Sequence, residues 1–76
     1  METKQYETIE ERMKFLLEQK HAIRMTVINA MGCNSQIYEE FEKGLRPLEG
    51  YYYDRFTKEL NLNSTEKQFL KTGTIS

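Results

Sequence analysis

The residues able to do chemistry are few and scattered. The chain has one cysteine, Cys33, and one histidine, His21. Neither has a second Cys or His from which to build a metal set or a nucleophile–base pair. There is no Gly-rich phosphate loop and no DxD or HExxH pattern, so the motifs that hold nucleotides or hydrolytic zinc are missing. The carboxylates fall on amphipathic surfaces, many beside Lys or Arg, where they solvate a face rather than pair for acid–base work. The expectation is a protein that is not an enzyme, with no cofactor and no metal. His21 is expected to end a helix and meet its C-terminal dipole. Cys33 is expected to pack as a small apolar group rather than react as a thiol. Tyr51-Tyr52-Tyr53 is the one unusual run. At helical spacing the three rings fan over about 200°, so Tyr52 is expected inside and Tyr51 and Tyr53 nearer the surface, where aromatics favour interfaces.

Length and charge bound the rest. A chain of 76 residues makes one domain at most and buries only about 60% of the surface its unfolded form exposes. It is 38% apolar and 30% charged, too apolar for a disordered chain. The longest uncharged run, Met25 to Tyr38, holds Asn, Gly, Ser and Gln and falls short of a span of ~20 apolar residues. Met1 to Gln5 shows no secretory pattern. With a single Cys no internal disulfide forms, and a reducing, cytoplasmic setting is expected. The net charge is −1 and the pI about 5.8. Residues 1–21 carry −1, and residues 22–47 and 48–76 are each balanced. Any attraction to a polyanion must therefore come from a local patch.

These groups must be positioned by helices. Apolar residues recur at steps of three and four, which argues for an all-α chain. Ile9, Met13, Leu16 and Leu17 form one face; Ile23, Val27, Ile28 and Met31 a second; Ile37, Tyr38, Phe41 and Leu45 a third. Leu48, Tyr52, Phe56 and Leu60 make a fourth, and Phe69 and Leu70 a short fifth. Thr8 with Glu11 reads as a capping box, and Asn63 with Glu66 as another that opens the last helix at Ser64. Gly32 stops the second helix, since glycine takes the left-handed C′ conformation at little cost. Asn34 or Ser35 caps the third, Gly44 ends it, and Pro47 sets the start of the fourth. The domain is expected over residues 1–71, with 72–76 a frayed tail. Between the second and third helices lie only Gly32, Cys33 and Asn34, the length of a helix-turn-helix connection over about residues 23–43.

From Ile9 to Leu62 the chain resembles the Cro/CI-type (XRE) helix-turn-helix repressors. Ile9-Glu10-Glu11-Arg12-Met13-Lys14-Phe15-Leu16 is similar to the family's opening "I-x-x-R-L-k-x-L". Gly32 stands at its turn glycine, Glu42-Lys43-Gly44 at the "E-x-G" closing its third helix, and Arg46-Pro47 at the "R-x-P" beyond. Phe56-Thr57-Lys58-Glu59-Leu60-Asn61-Leu62 resembles its fourth helix. The resemblance departs in helix two, where Ile23-Arg24 replaces Ser/Thr-Gln and Ile28 replaces a small Ala, in helix three, where Tyr38 replaces an aliphatic residue, and at Leu17, where an Arg is usual. An Ile–Tyr contact in place of Ala–Ile overfills the space between helices two and three unless they move apart.

The resemblance implies a compact helix-turn-helix domain of four to five helices and a small DNA-binding regulator of the phage or mobile-element repressor kind. Its third helix would enter the major groove of double-stranded DNA. Asn34, Ser35, Gln36, Glu39 and Lys43 are then the base-reading candidates, and Glu40 belongs to the solvated face. Arg24, Arg46 and Lys20 are the phosphate candidates. A homodimer on DNA would place half-sites about 34 Å apart, with Tyr51, Tyr53, Phe69, Leu70 and Ile75 as interface candidates. The alternative is a protein-binding module, an anti-repressor or inhibitor, in which the acidic third helix meets a basic partner.

Overall fold

Thr8 opens the first helix by accepting the Glu11 amide at 3.2 Å through its side-chain oxygen. Its hydroxyl in turn donates to the Glu11 carboxylate at 3.0 Å. The expected capping box is thus half formed, because the carboxylate is held by the hydroxyl rather than by the Thr8 backbone. The computed structural model describes residues 4–75, and the side chains of 6–73. Five helices follow one another: α1 (Ile9–Gln19), α2 (Arg24–Met31), α3 (Ser35–Glu42), α4 (Gly50–Glu59) and α5 (Ser64–Thr72). The chain is all-α apart from one pair of two-residue strands, β1 (Lys4–Gln5) and β2 (Thr74–Ile75). No helix among the described residues is long and apolar enough to cross a membrane.

The punctuation acts largely where the residue types place it. Gly32, at φ 74°, ends α2 in the left-handed conformation. Asn34, not Ser35, caps α3, accepting the Ile37 amide at 2.8 Å. Asn63 and Glu66 form the full reciprocal box at the start of α5. The Asn63 backbone amide, with Lys20 behind it, holds the Glu66 carboxyl below its ordinary pKa. His21 follows α1 in the left-handed region, at φ 53°. Two expectations shift. The Leu45 and Arg46 amides both turn back to the Glu40 carbonyl, at 2.9 and 3.2 Å, so the chain leaves the α3 axis. Leu45 is consequently 74% exposed instead of completing the third apolar face. Pro47 lies in the loop that follows, and α4 starts only at Gly50. Ile23, assigned to the buried face of the second helix, is its N-cap and is 69% exposed.

One core joins all five helices. Met13, Leu16, Val27, Ile28, Met31, Tyr38, Phe41 and Phe56 are fully buried. Ile28 and Tyr38, expected to overfill the space between helices two and three, are both buried. Helix α2 lies chiefly against α4, and α3 against α1, which leaves α2–α3 a smaller contact. A cost remains at Tyr38: its hydroxyl is buried and finds no hydrogen-bond partner among the described residues. Burial, reinforced by the charge of Glu42, pushes its pKa well above the ordinary value. Tyr38→Phe is therefore expected to stabilise the fold by ~1–3 kcal/mol, the cost of an unsatisfied buried group. The sign with pH follows. A raised native pKa means that stability is kept below the unfolded tyrosine value of ~10 and lost as pH climbs above it. The substitution should remove that alkaline loss. Urea midpoints at neutral pH and above pH ~10 check both points; a destabilised variant would mean that the hydroxyl is satisfied.

The first and last described residues are paired. Strand β1 pairs antiparallel with β2, Lys4 opposite Ile75 and Gln5 opposite Thr74. The expected frayed tail is therefore corrected: α5 runs through Thr72, Gly73 is buried, and residues 74–75 are paired. Ser76 lies outside the described residues. Tyr6, Phe15 and Phe69 stack their rings with centroids 5.0, 5.1 and 5.4 Å apart. Arg12 binds the whole together, donating to the carbonyls of Tyr6, Glu7, Leu70 and Lys71 at 2.8–3.4 Å. Gly73, at φ 75°, admits no side chain here, because a Cβ would strike the Tyr6 carbonyl and the Arg12 guanidinium.

Candidate functional site

The three-residue turn Gly32-Cys33-Asn34 sends α3 out beside α2. Cys33 is half-buried, its thiol lies 3.8 Å from the Ile28 carbonyl, and burial raises its pKa; it packs, as its type suggested. Helix α3 turns Tyr38 and Phe41 inward. It leaves Ser35, Gln36, Glu39 and Lys43 exposed, with Asn34 exposed just before them. The base-reading candidates thus share the outward side of one helix and its cap. Asn34 commits its Oδ1 to the Ile37 amide, leaving its NH2 for other partners. Ser35 Oγ lies 3.8 Å from the Met25 sulfur, which sets the start of α3 against the start of α2. Lys43 has no ion-pair partner among the described residues.

The phosphate candidates are all engaged by carboxylates. Arg24 Nη2 lies 2.9 Å from Glu42 Oε1 and 3.9 Å from Glu39 Oε1. Its guanidinium also sits over the Tyr38 ring, 5.0 Å from the centroid. Arg46 donates to Glu40 Oε1 from Nε at 3.1 Å and lies 3.0 Å from it through Nη2. Lys20 meets Glu66 Oε1 at 3.0 Å, tying the end of α1 to the start of α5 rather than joining the arginines.

A groove of about 360 Å³ brings Arg24, Glu39 and Lys43 together with Glu10 and Lys14 of α1. Lys14, 4.0 Å from Glu10, was not singled out from the sequence. Its only local signal is a charge pair at i,i+4 spacing, which surface helices share generally.

The interface candidates divide. Phe69 and Leu70 are buried in the core against α1 and the N-terminal segment, so they offer no surface to a second copy. Tyr53 is half-buried and packed against the core, as is Tyr52, whose ring meets Phe41 at 5.3 Å. Tyr51 is 57% exposed. Arg55 lies over its ring at 5.0 Å, and its hydroxyl lies close over Gly32. The side chain of Ile75 is outside those described. Two further apolar side chains, Ile23 and Met25, are exposed on either side of Arg24. No group of three or more potential metal ligands occurs among the described residues.

Compared with family models, curated proteins and solved structures, the chain matches none.

Proposed function

We propose that this chain is a small sequence-specific DNA-binding regulator, of the Cro/CI repressor kind its motifs resemble, which lays α3 in the major groove. The observation that carries the reading is the outward display of Ser35, Gln36, Glu39 and Lys43 on a short helix held by a three-residue turn against α2. Gln36 offers an amide able to bond adenine in two places, and Lys43 a cation for guanine or phosphate. A pairing of two copies on DNA would use the surface around Tyr51, because Phe69 and Leu70 are spent inside the fold.

Titration of labelled short duplexes at two salt concentrations tests this. Binding should weaken as salt rises. Gln36→Ala should change preference at one base pair by about 1–3 kcal/mol while leaving other positions as they were. Equal affinity for every duplex, or no binding at low salt, would contradict the reading.

A second reading, a protein-binding module, is favoured by Ile23 and Met25, exposed on either side of Arg24, and by the engagement of Arg24 and Arg46 with carboxylates. The same titration separates the two, since a module of that kind leaves all duplexes unbound.

A further inference from the structure

Two arginines flank α3, one ahead of it in the chain and one behind, and each already holds an oxyanion. The oxyanion is in both cases a carboxylate of α3 itself. Arg46 presents its side-on edge, Nε and Nη2, to a single oxygen of Glu40 at 3.1 and 3.0 Å. Arg24 presents Nη2 to Glu42 at 2.9 Å, with its guanidinium lying over the buried Tyr38 ring. This fork geometry suits carboxylate and phosphate oxygens alike.

We infer that Arg46 is a site for a backbone phosphate of duplex DNA, held closed in the unbound protein by Glu40 as a phosphate stand-in, whereas Arg24 stays on the buried Glu42. The inference rests on the DNA-binding reading and adds to it a residue that sets the affinity. A phosphate reaching Arg46 must displace Glu40. The freed carboxylate then faces a polyanion and draws back a cation from solution. This exchange cancels part of the counterion release that ordinarily drives binding. The consequence is a shallow salt dependence and weak attachment to DNA of arbitrary sequence, in keeping with a chain whose net charge is −1.

Glu40 is the better test site, because Glu42 is almost wholly buried and its loss disturbs the fold. The probe is a duplex pool of randomised sequence, titrated against wild type, Glu40→Gln, Arg46→Ala and the double variant. Glu49→Gln serves as a control for charge alone, since Glu49 is exposed and in no ion pair among the described residues. Glu40→Gln should tighten binding about 2- to 5-fold, the size of a released surface ion pair, and steepen the log–log salt slope by about 1. In the Arg46→Ala background the same change should gain less, because only the carboxylate's repulsion and no ion pair is relieved, and Glu49→Gln should likewise fall short of the Glu40→Gln gain. Binding without that gain, or a gain as large without Arg46, overturns the inference alone. Absence of binding by every variant at low salt overturns the DNA reading with it.

Discussion

Arg12→Ala is expected to destabilise the protein by about 2–4 kcal/mol, as a charged donor to four carbonyls, two of them in part-buried bonds, is lost. Four carbonyls, of Tyr6, Glu7, Leu70 and Lys71, converge on this one guanidinium. Without it the N-terminal segment and the end of α5 lose their common donor, and the strand pair Lys4–Gln5 with Thr74–Ile75 is too short to stand alone. Arg12→Lys should recover only part of the loss, because three ammonium donors on one atom cannot span the same set of acceptors. Urea unfolding of the three proteins measures this. Equal midpoints for wild type and Arg12→Ala would show that the clasp contributes nothing.

The second large effect is expected at Arg24. Arg24→Ala leaves the Glu42 carboxylate, 6% exposed, beside the buried Tyr38 ring with no counter-charge. Removing one partner of a buried pair costs ~3–5 kcal/mol. Arg24 is 42% exposed on its side chain, and solvent reduces that to about 2–3 kcal/mol. Replacing both partners, Arg24→Met with Glu42→Leu, should recover most of the loss, since no charge is then stranded. A double variant as unstable as the single one would show that packing, not the stranded carboxylate, sets the cost. The two arginine predictions also separate two roles. Arg12 holds residues 6–7 to the end of α5, whereas Arg24 joins the start of α2 to the end of α3 and so fixes how α3 is presented.

Local signals made much of this architecture legible. Steps of three and four place all five helices, Gly32 marks the turn, and Asn63 with Glu66 forms the cap that those residue types imply. Each of these rests on contacts within a few residues. Less visible was anything decided by distant partners. Ile23 and Leu45 fit an apolar stripe by spacing, yet the chain leaves the helix axis at both, and they face solvent. Phe69 and Leu70 read as spare apolar surface because nothing local reveals that Tyr6 and Phe15 cover Phe69. Arg12 reads as a motif position, and its four acceptors lie up to 59 residues away. The candidate site shows the same division. The exposure of Gln36, Glu39 and Lys43 follows from helical phase. The carboxylates that hold Arg24, Arg46 and Lys20 come from other elements or across a turn, and a count of charges along the chain cannot pair them.

The proposed surface for a polyanion belongs to a near-neutral chain. Arg24 and Arg46 are each neutralised at an identified carboxylate, whereas Arg12 is spent on backbone carbonyls and Arg55 lies over the Tyr51 ring. Lys43, with no such partner among the described residues, and Gln36, two helical turns before it on the same side of α3, are the exposed groups the proposed reading relies on.

The most direct test is a map of the bound face. Backbone amide resonances of isotope-labelled protein, followed while a randomised duplex pool is added at low salt, should shift at Ser35, Gln36, Glu39 and Lys43 and at the start of α2. The amides around Phe69 and of the paired strands β1 and β2 should stay in place. Shifts confined to other faces, or none at all, would contradict the assignment of α3 as the surface that meets DNA.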